Sequence, residues 1–314
     1  MEGVMMKNQD KYAVAVRKQD QEIVVEVAEY NGLNINKKMK NMPILRGVFN
    51  FIESLMLGMK TLMFSASFFE DEEEELKKHK ESATVKQAEL SEEAARTEQE
   101  RKKKEEDAMM GGTVVLSVVL AVGIFMILPY FISLFFQRFI TSQIAIALLE
   151  GVIRLLIFVG YVAAISLMPD IKRVYMYHGA EHKCINCIEH GLDLTVENVR
   201  KSSKEHKRCG TSFLLIVMLI SIVFFMFIRV DNGILKLVLR LLLIPVIAGV
   251  SYEFIRLAGR SDNRIVNILS KPGLWLQRLT TKEPDDTMIE VGIASVEAVF
   301  DWHSYVEEIR EGKA

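Results

Sequence analysis

The chain has 314 residues, of which 50% are hydrophobic and 25% charged, with a formal net charge of −2. That net charge points to no partner class by itself; its distribution does, because the basic residues stand beside apolar runs, which makes nucleic acid an unexpected partner. The sequence holds no Walker loop, no dinucleotide fingerprint and no G-x-S-x-G, so nucleotide-driven and serine-hydrolase chemistry have no visible footing.

Residues 1–41 open the chain. Tyr12 to Lys18 and Glu22 to Val27 are strand-like segments flanking a polar turn at Gln19-Asp20-Gln21, which predicts a β-hairpin. The start is short of apolar residues and soon becomes charged, so no cleavable signal peptide is expected there. Residues 42–69 are apolar with helical period through Gly47, Phe51, Leu55 and Met59, interrupted by Arg46, Glu53 and Lys60. They predict an amphipathic helix lying in a membrane interface, with a re-entrant or spanning helix as the alternative. Residues 70–107 are a charge-dense, low-complexity insert, read as a linker or a coiled-coil arm.

Four apolar runs follow, at 111–136, 143–168, 213–228 and 234–252. Three are long enough to cross a bilayer, or nearly so, while 213–228 needs its flanks. The second carries Glu150 and Arg154, spaced to pair on one helix face and to point into a bundle. Segments 108–168 and 213–257 are therefore two pairs of transmembrane helices. The loop 169–212 between them carries eight basic residues, whereas the links at 137–142 and 229–236 carry only Arg138, Arg229 and Lys236. By the positive-inside rule the loop and both termini face the cytoplasm. Cys184, Cys187 and Cys209 all fall in that loop, where thiols stay reduced.

Within the loop, 174–190 reads as a helix stopped by Gly191, and Asp193 to Asn198 offers a cap for a second helix running to about His206. Cys209-Gly210-Thr211-Ser212 is a turn into the third span. The tail, 258–314, contains a turn and an interfacial helix at Pro272 to Gln277. It also contains an amphipathic helix over 286–310, with Met288, Val291, Ala294, Ala298 and Trp302 on one face. The expected fold class is mainly α: a polytopic membrane protein of about four transmembrane helices, one amphipathic or re-entrant helix and a small N-terminal hairpin.

The chemistry is carried by His178-Gly179-Ala180-Glu181-His182, an H-x-x-E-H pattern. On a helix the two histidines lie four positions apart and reach one metal ion, zinc or another divalent transition metal. Glu181 lies one turn from His178 and is placed to act as a general base on water held by the metal. A hydrolytic site needs a third protein ligand. Glu253 leads, because a lone carboxylate in an apolar run is costly and usually functional. It also follows His182 by about seventy residues, like the distal glutamate of inverted zincins. The bland alternative pairs Glu253 with Arg256 or Arg154. His206 is the second candidate ligand. Arg208 or Lys183 is placed to stabilise developing negative charge. A rival, structural zinc site joins Cys184-x-x-Cys187 to His206-x-x-Cys209.

Five blocks resemble the YqhQ-like family of bacterial membrane proteins. They are Tyr177 to Lys183, Leu194 to Arg200, Arg208 to Phe213, Ser251 to Gly259 and Pro272 to Asp286. The resemblance spans nearly the whole chain outside 70–107 and implies a polytopic protein of the bacterial cytoplasmic membrane and a predicted metal-dependent enzyme. The family pattern does not require the Cys184-x-x-Cys187 pair. Two functions are expected from all this. The first is a membrane-embedded metal-dependent hydrolase acting on a membrane protein, a peptide or a lipid. The second is a non-enzymatic assembly factor that sits in the lipid bilayer and binds a membrane protein complex.

Overall fold

In the computed structural model the strands come first: β1 (Gly3–Asn8), β2 (Lys11–Arg17) and β3 (Ile23–Glu29) form an antiparallel sheet in the order β1-β2-β3. The expected hairpin is β2–β3, with Val16 paired to Val24. β1 adds a third strand, Val4 opposite Ala15. The structure describes residues 2–30, 32, 33, 35, 39, 41–81, 101, 109, 111–228, 230, 232–260 and 263–312. The chain divides into two compact units, one of residues 1–69 with 159–314 and one of 70–158. Most of the charged insert expected at 70–107 lies outside the described residues, although its start, to Glu81, continues a helix.

β2 is the central strand and is buried on both faces, which explains its nearly unbroken apolar run. Tyr12, Val14 and Val16 face α1 (Leu45–Glu81), where Leu57 packs on them. Ala15, with Val4 and Met6, faces the opposite way. It joins a core built from α4 (Pro169–Glu189), α5 (Val196–Lys201), α9 (Asp286–Glu297) and α10 (Trp302–Arg310). The period-2 alternation of the strand thus separates two layers. The C-terminal tail is part of this core, since Met288, Ile289, Val291 and Trp302 are buried in it. The single helix expected over 286–310 is two. Asp301 caps the second, its carboxylate accepting from the Ser304 N–H at 3.2 Å.

α4 begins five residues earlier than expected, at Pro169, which suits a first helical position. It ends just before Gly191, whose φ of +69° needs no Cβ. α5 stops at Lys201 and does not run to His206. The reason is local: the Lys183 ammonium donates to the Arg200 and Ser202 carbonyls at 2.8 and 3.0 Å. Asn186 then draws the next carbonyls, Ser203 and Glu205, onto α4. α8 (Arg264–Thr280) runs straight through Pro272, where a turn was expected. Its Gly273 lies so close to α6 (Gly210–Met226) that a Cβ there would meet Ser212 at 2.9 Å.

Among the described residues, three helices are long and apolar enough to cross a membrane: α2 (Gly111–Phe136), α3 (Gln143–Ile165) and α7 (Gly233–Ala258). α6 has 17 residues and spans only about 26 Å, short of the ~30 Å hydrocarbon core. Large side chains such as Val115, Leu116, Val119 and Leu120 of α2 are exposed, which water would penalise and lipid would not. α2 contains a π turn at Gly123–Ile127. Four residues beyond Phe125 comes Pro129, which has no N–H to offer the Phe125 carbonyl. Arg154 supplies the missing donor at 2.8 Å, while pairing with the buried Glu150 carboxylate at 2.7 Å. The expected Glu150–Arg154 pair is therefore present, and the proline beside it accounts for the broken helix.

α1 packs on α7 through small residues. A Cβ on Gly249 would run into Ile44, and one on Gly47 into Tyr252. Arg46 forms a two-pronged ion pair with Glu253 at this crossing, and Asn50 donates to the Tyr252 hydroxyl at 2.7 Å.

Candidate metal centre

α4 presents His178, His182 and Asn186 at successive turns, so one helix face carries all three. The rings of His178 and His182 stand 4.4 Å apart. Each uses its Nδ1 on a backbone carbonyl: His178 on Thr280 at 2.9 Å, His182 on Lys204 at 2.7 Å. A carbonyl only accepts, so the proton sits on Nδ1 and Nε2 is the nitrogen left for a ligand. A backbone carbonyl accepting from the far ring nitrogen is the arrangement that orients metal-binding histidines.

The third member is Cys209, the cap residue of α6. Its Sγ lies 3.3 Å from His178 Nε2. Ligand atoms of His178, His182 and Cys209 all lie within 4.8 Å of one another, the one such group of three among the described residues. Bonds of about 2.0 Å to nitrogen and 2.3 Å to sulfur at a tetrahedral angle would place N and S roughly 3.6 Å apart. The donor set therefore fits zinc or a similar divalent ion, with two imidazoles, one thiolate and a fourth position left open. The Thr211 N–H donates to Sγ at 3.4 Å and the Thr211 hydroxyl lies 3.1 Å from it. The α6 N-terminus adds its positive end to the same sulfur.

Electrostatics agree with this geometry. Burial raises the Cys209 thiol, but hydrogen bonds and charge from His178 and His182 overcome it and lower the thiol to about 4. Burial likewise lowers His178, and the thiolate overcomes it, raising the imidazole to about 9. Without metal the pair is imidazolium and thiolate across neutral pH. Burial lifts the Glu181 carboxyl above the ordinary carboxylate range, with His178 and His182 pulling the other way.

The other expected site residues lie elsewhere. Glu253 does not join the cluster: its carboxylate pairs with Arg46, 207 positions earlier in the chain and invisible to a count of near neighbours. His206 has its ring 5.9 Å from that of His182, but its Nε2 meets Glu189 at 3.1 Å and its Nδ1 accepts the Arg208 N–H. Arg208 also pairs with Glu189, the carboxylate that His206 meets. Lys183 is held by carbonyls and by Glu283 at 2.6 Å. The rival four-ligand site is divided, since Cys184 and Cys187 belong to the hydrophobic core and only Cys209 joins the histidines.

Two supporting residues escape a motif search. Gln277 is fully buried, holds the His206 backbone through both its amide atoms and donates to Ser212 at 2.6 Å. Thr280 gives its carbonyl to His178 and its hydroxyl lies 3.2 Å from that of Thr211. Both fall on α8, in a segment the sequence presents only as a turn and an interfacial helix.

The family described as "Protein of unknown function (DUF1385)" matches residues 42–302. The chain is also 34% identical over 297 residues to a Bacillus subtilis (strain 168) protein titled "Uncharacterized protein YqhQ", covering 94% of this chain and 88% of that one. No solved structure matches it. All of the residues of the candidate centre lie inside the matched region, and the chain belongs to the DUF1385 family.

Proposed function

We propose that this protein is a metal-dependent hydrolase of the membrane surface, with zinc or another divalent transition metal held by His178, His182 and Cys209. The observation that carries the reading is the convergence of two carbonyl-braced imidazoles and one thiol on a single point. A metal bound there supplies Lewis-acid chemistry, polarising a carbonyl and lowering the pKa of water. Glu181 takes and returns the proton, a role suited to a carboxyl that burial holds above its usual range. The His178 and His182 imidazoles keep Cys209 deprotonated, and Thr280 and Lys204 keep both Nε2 atoms aimed inward.

In this reading α2, α3, α6 and α7 cross the cytoplasmic membrane of a bacterium. Both termini and the 169–212 loop lie in the cytoplasm, as the basic residues of that loop favour. The substrate is then a membrane protein or lipid met at the inner face. A second reading makes the protein an assembly factor for a membrane complex, with the histidines as struts. Their bonds to Thr280 and Lys204, which tie α4 to α8 and to the following loop, favour it.

X-ray absorption at the edge of the metal found separates the ligand sets. One sulfur near 2.3 Å with nitrogen or oxygen near 2.0 Å is expected. A shell without sulfur would reject Cys209 as a ligand.

A further inference from the structure

A cleft of about 290 Å³ opens beside the cluster. His178 and Glu181 stand in its wall together with Val174 and Tyr177 of α4. Gly3 to Met5 of the edge strand and Val14 form a second wall, and Thr61, Leu62 and Ser65 of α1 the third. The wall is therefore mostly hydrocarbon, with the catalytic candidates at one place on it. Ser65 is buried, and its hydroxyl has no hydrogen-bond partner among the described residues. Buried hydroxyls are nearly always paired, so this one is open to an oxygen entering the cleft.

Leu62 belongs to two surfaces. It lines the cleft, and it belongs to an exposed apolar stripe on α1 with Ile52, Leu55, Met56, Met59 and Met63. That stripe suits the acyl region of a bilayer, as expected for an interfacial helix. The cleft is thus continuous with a lipid-facing surface on one side and with His178 and Glu181 on the other. Its volume is at the low end of the ~300–1,000 Å³ typical of small-molecule sites, room for one slender chain and not for two. A peptide strand would bring backbone groups that need partners, and beyond the β1 edge the walls offer few. A hydrocarbon chain brings none.

We propose that the cleft admits a single acyl chain of a bilayer amphiphile, sliding in past Leu62, with an ester or hydroxyl oxygen on Ser65 and the polar end at His178 and Glu181. This deepens the hydrolase reading by naming its substrate class, and it rests on that reading for the chemistry but not for binding.

The test is photolabelling of the full-length protein in nanodiscs with a fatty acid carrying a diazirine on its chain, followed by peptide mapping. Labels on 61–65 or 174–181, reduced at least fivefold in Ser65→Phe, are the expected result. Labels confined to 111–136, 143–165 and 233–258 would overturn the proposal. So would labelling of the cleft by a photoleucine peptide where the fatty acid gives none. The unsubstituted protein alone supplies the map, so a poorly folding Ser65→Phe leaves the test decisive, and Val174→Phe repeats the block from the opposite wall. Metal content is read on the same sample. A labelled cleft without metal removes the hydrolase reading and keeps the acyl site, whereas metal with an unlabelled cleft does the reverse.

Discussion

Cys209 is the residue on which the centre turns. Its sulfur closes a cluster that His178 and His182 begin, and it does so from the N-terminus of a different helix. With no metal bound, its thiol is lowered to about 4 and His178 raised to about 9. The sign is definite: the sulfur stays thiolate down to about pH 4, and its imidazolium partner persists up to about pH 9. Alkylation of Cys209 by iodoacetamide is therefore expected to change little between pH 5 and 8. An ordinary thiol, with a pKa near 8.5, would lose roughly tenfold per pH unit over that range. A steep decline below pH 8 would contradict the pair. Glu253 is expected to behave as a packing residue. Glu253→Gln should keep the parent metal content while costing about 1.5–3 kcal/mol from the lost Arg46 pair, read as a lower melting temperature.

At the scale of elements, the centre is a joint between α4, α6, α8 and the loop 202–208. The loop is clasped by Asn186, Lys183 and His182 from one side and by Gln277 from the other. Gly179 allows α4 to approach the chain after α8, where a Cβ would run into the Lys282 carbonyl. Gly179→Ala is expected to cost about 1–3 kcal/mol and to loosen the metal, because it pushes α8 and the Thr280 carbonyl off His178. Thermal melting with and without added zinc reads both effects, and a variant with parent stability and affinity would refute the close approach.

This joint also shows what the sequence carries. H-x-x-E-H is local: i and i+4 on one helix bring the two imidazoles together whatever surrounds them. The third member of the cluster is not local. Cys209 follows His182 by 27 positions, and only the fold of the 202–208 loop returns it to α4. A signal existed, since a cysteine at the cap of an apolar helix sits where its thiolate is stabilised. Glu253 drew attention because an apolar run makes any carboxylate conspicuous, yet its answer, Arg46, comes from a helix 207 positions away.

At the scale of the whole molecule, long apolar runs made the helices that could cross a membrane legible, and alternation made β2 and β3 legible. β1 was not, because Gly3 to Met6 is too short a run to be told from the start of a helix. The C-terminal tail was under-read, because two of its five facing positions are alanine and its burial comes from meeting α4 and the sheet. Trp302→Ala is accordingly expected to cost about 3–5 kcal/mol, a core-sized loss, in the melting of detergent-solubilised protein. A change under ~0.5 kcal/mol would make the tail an appendage.

The most direct test of the central claim is elemental analysis of the purified full-length protein beside His178→Ala/His182→Ala and Cys209→Ala variants. About one zinc or other transition metal per chain, lost in both variants while folding is retained, is the expected result. Well-folded protein that holds no metal even after zinc is supplied would contradict the account and leave the histidines as struts of an assembly factor.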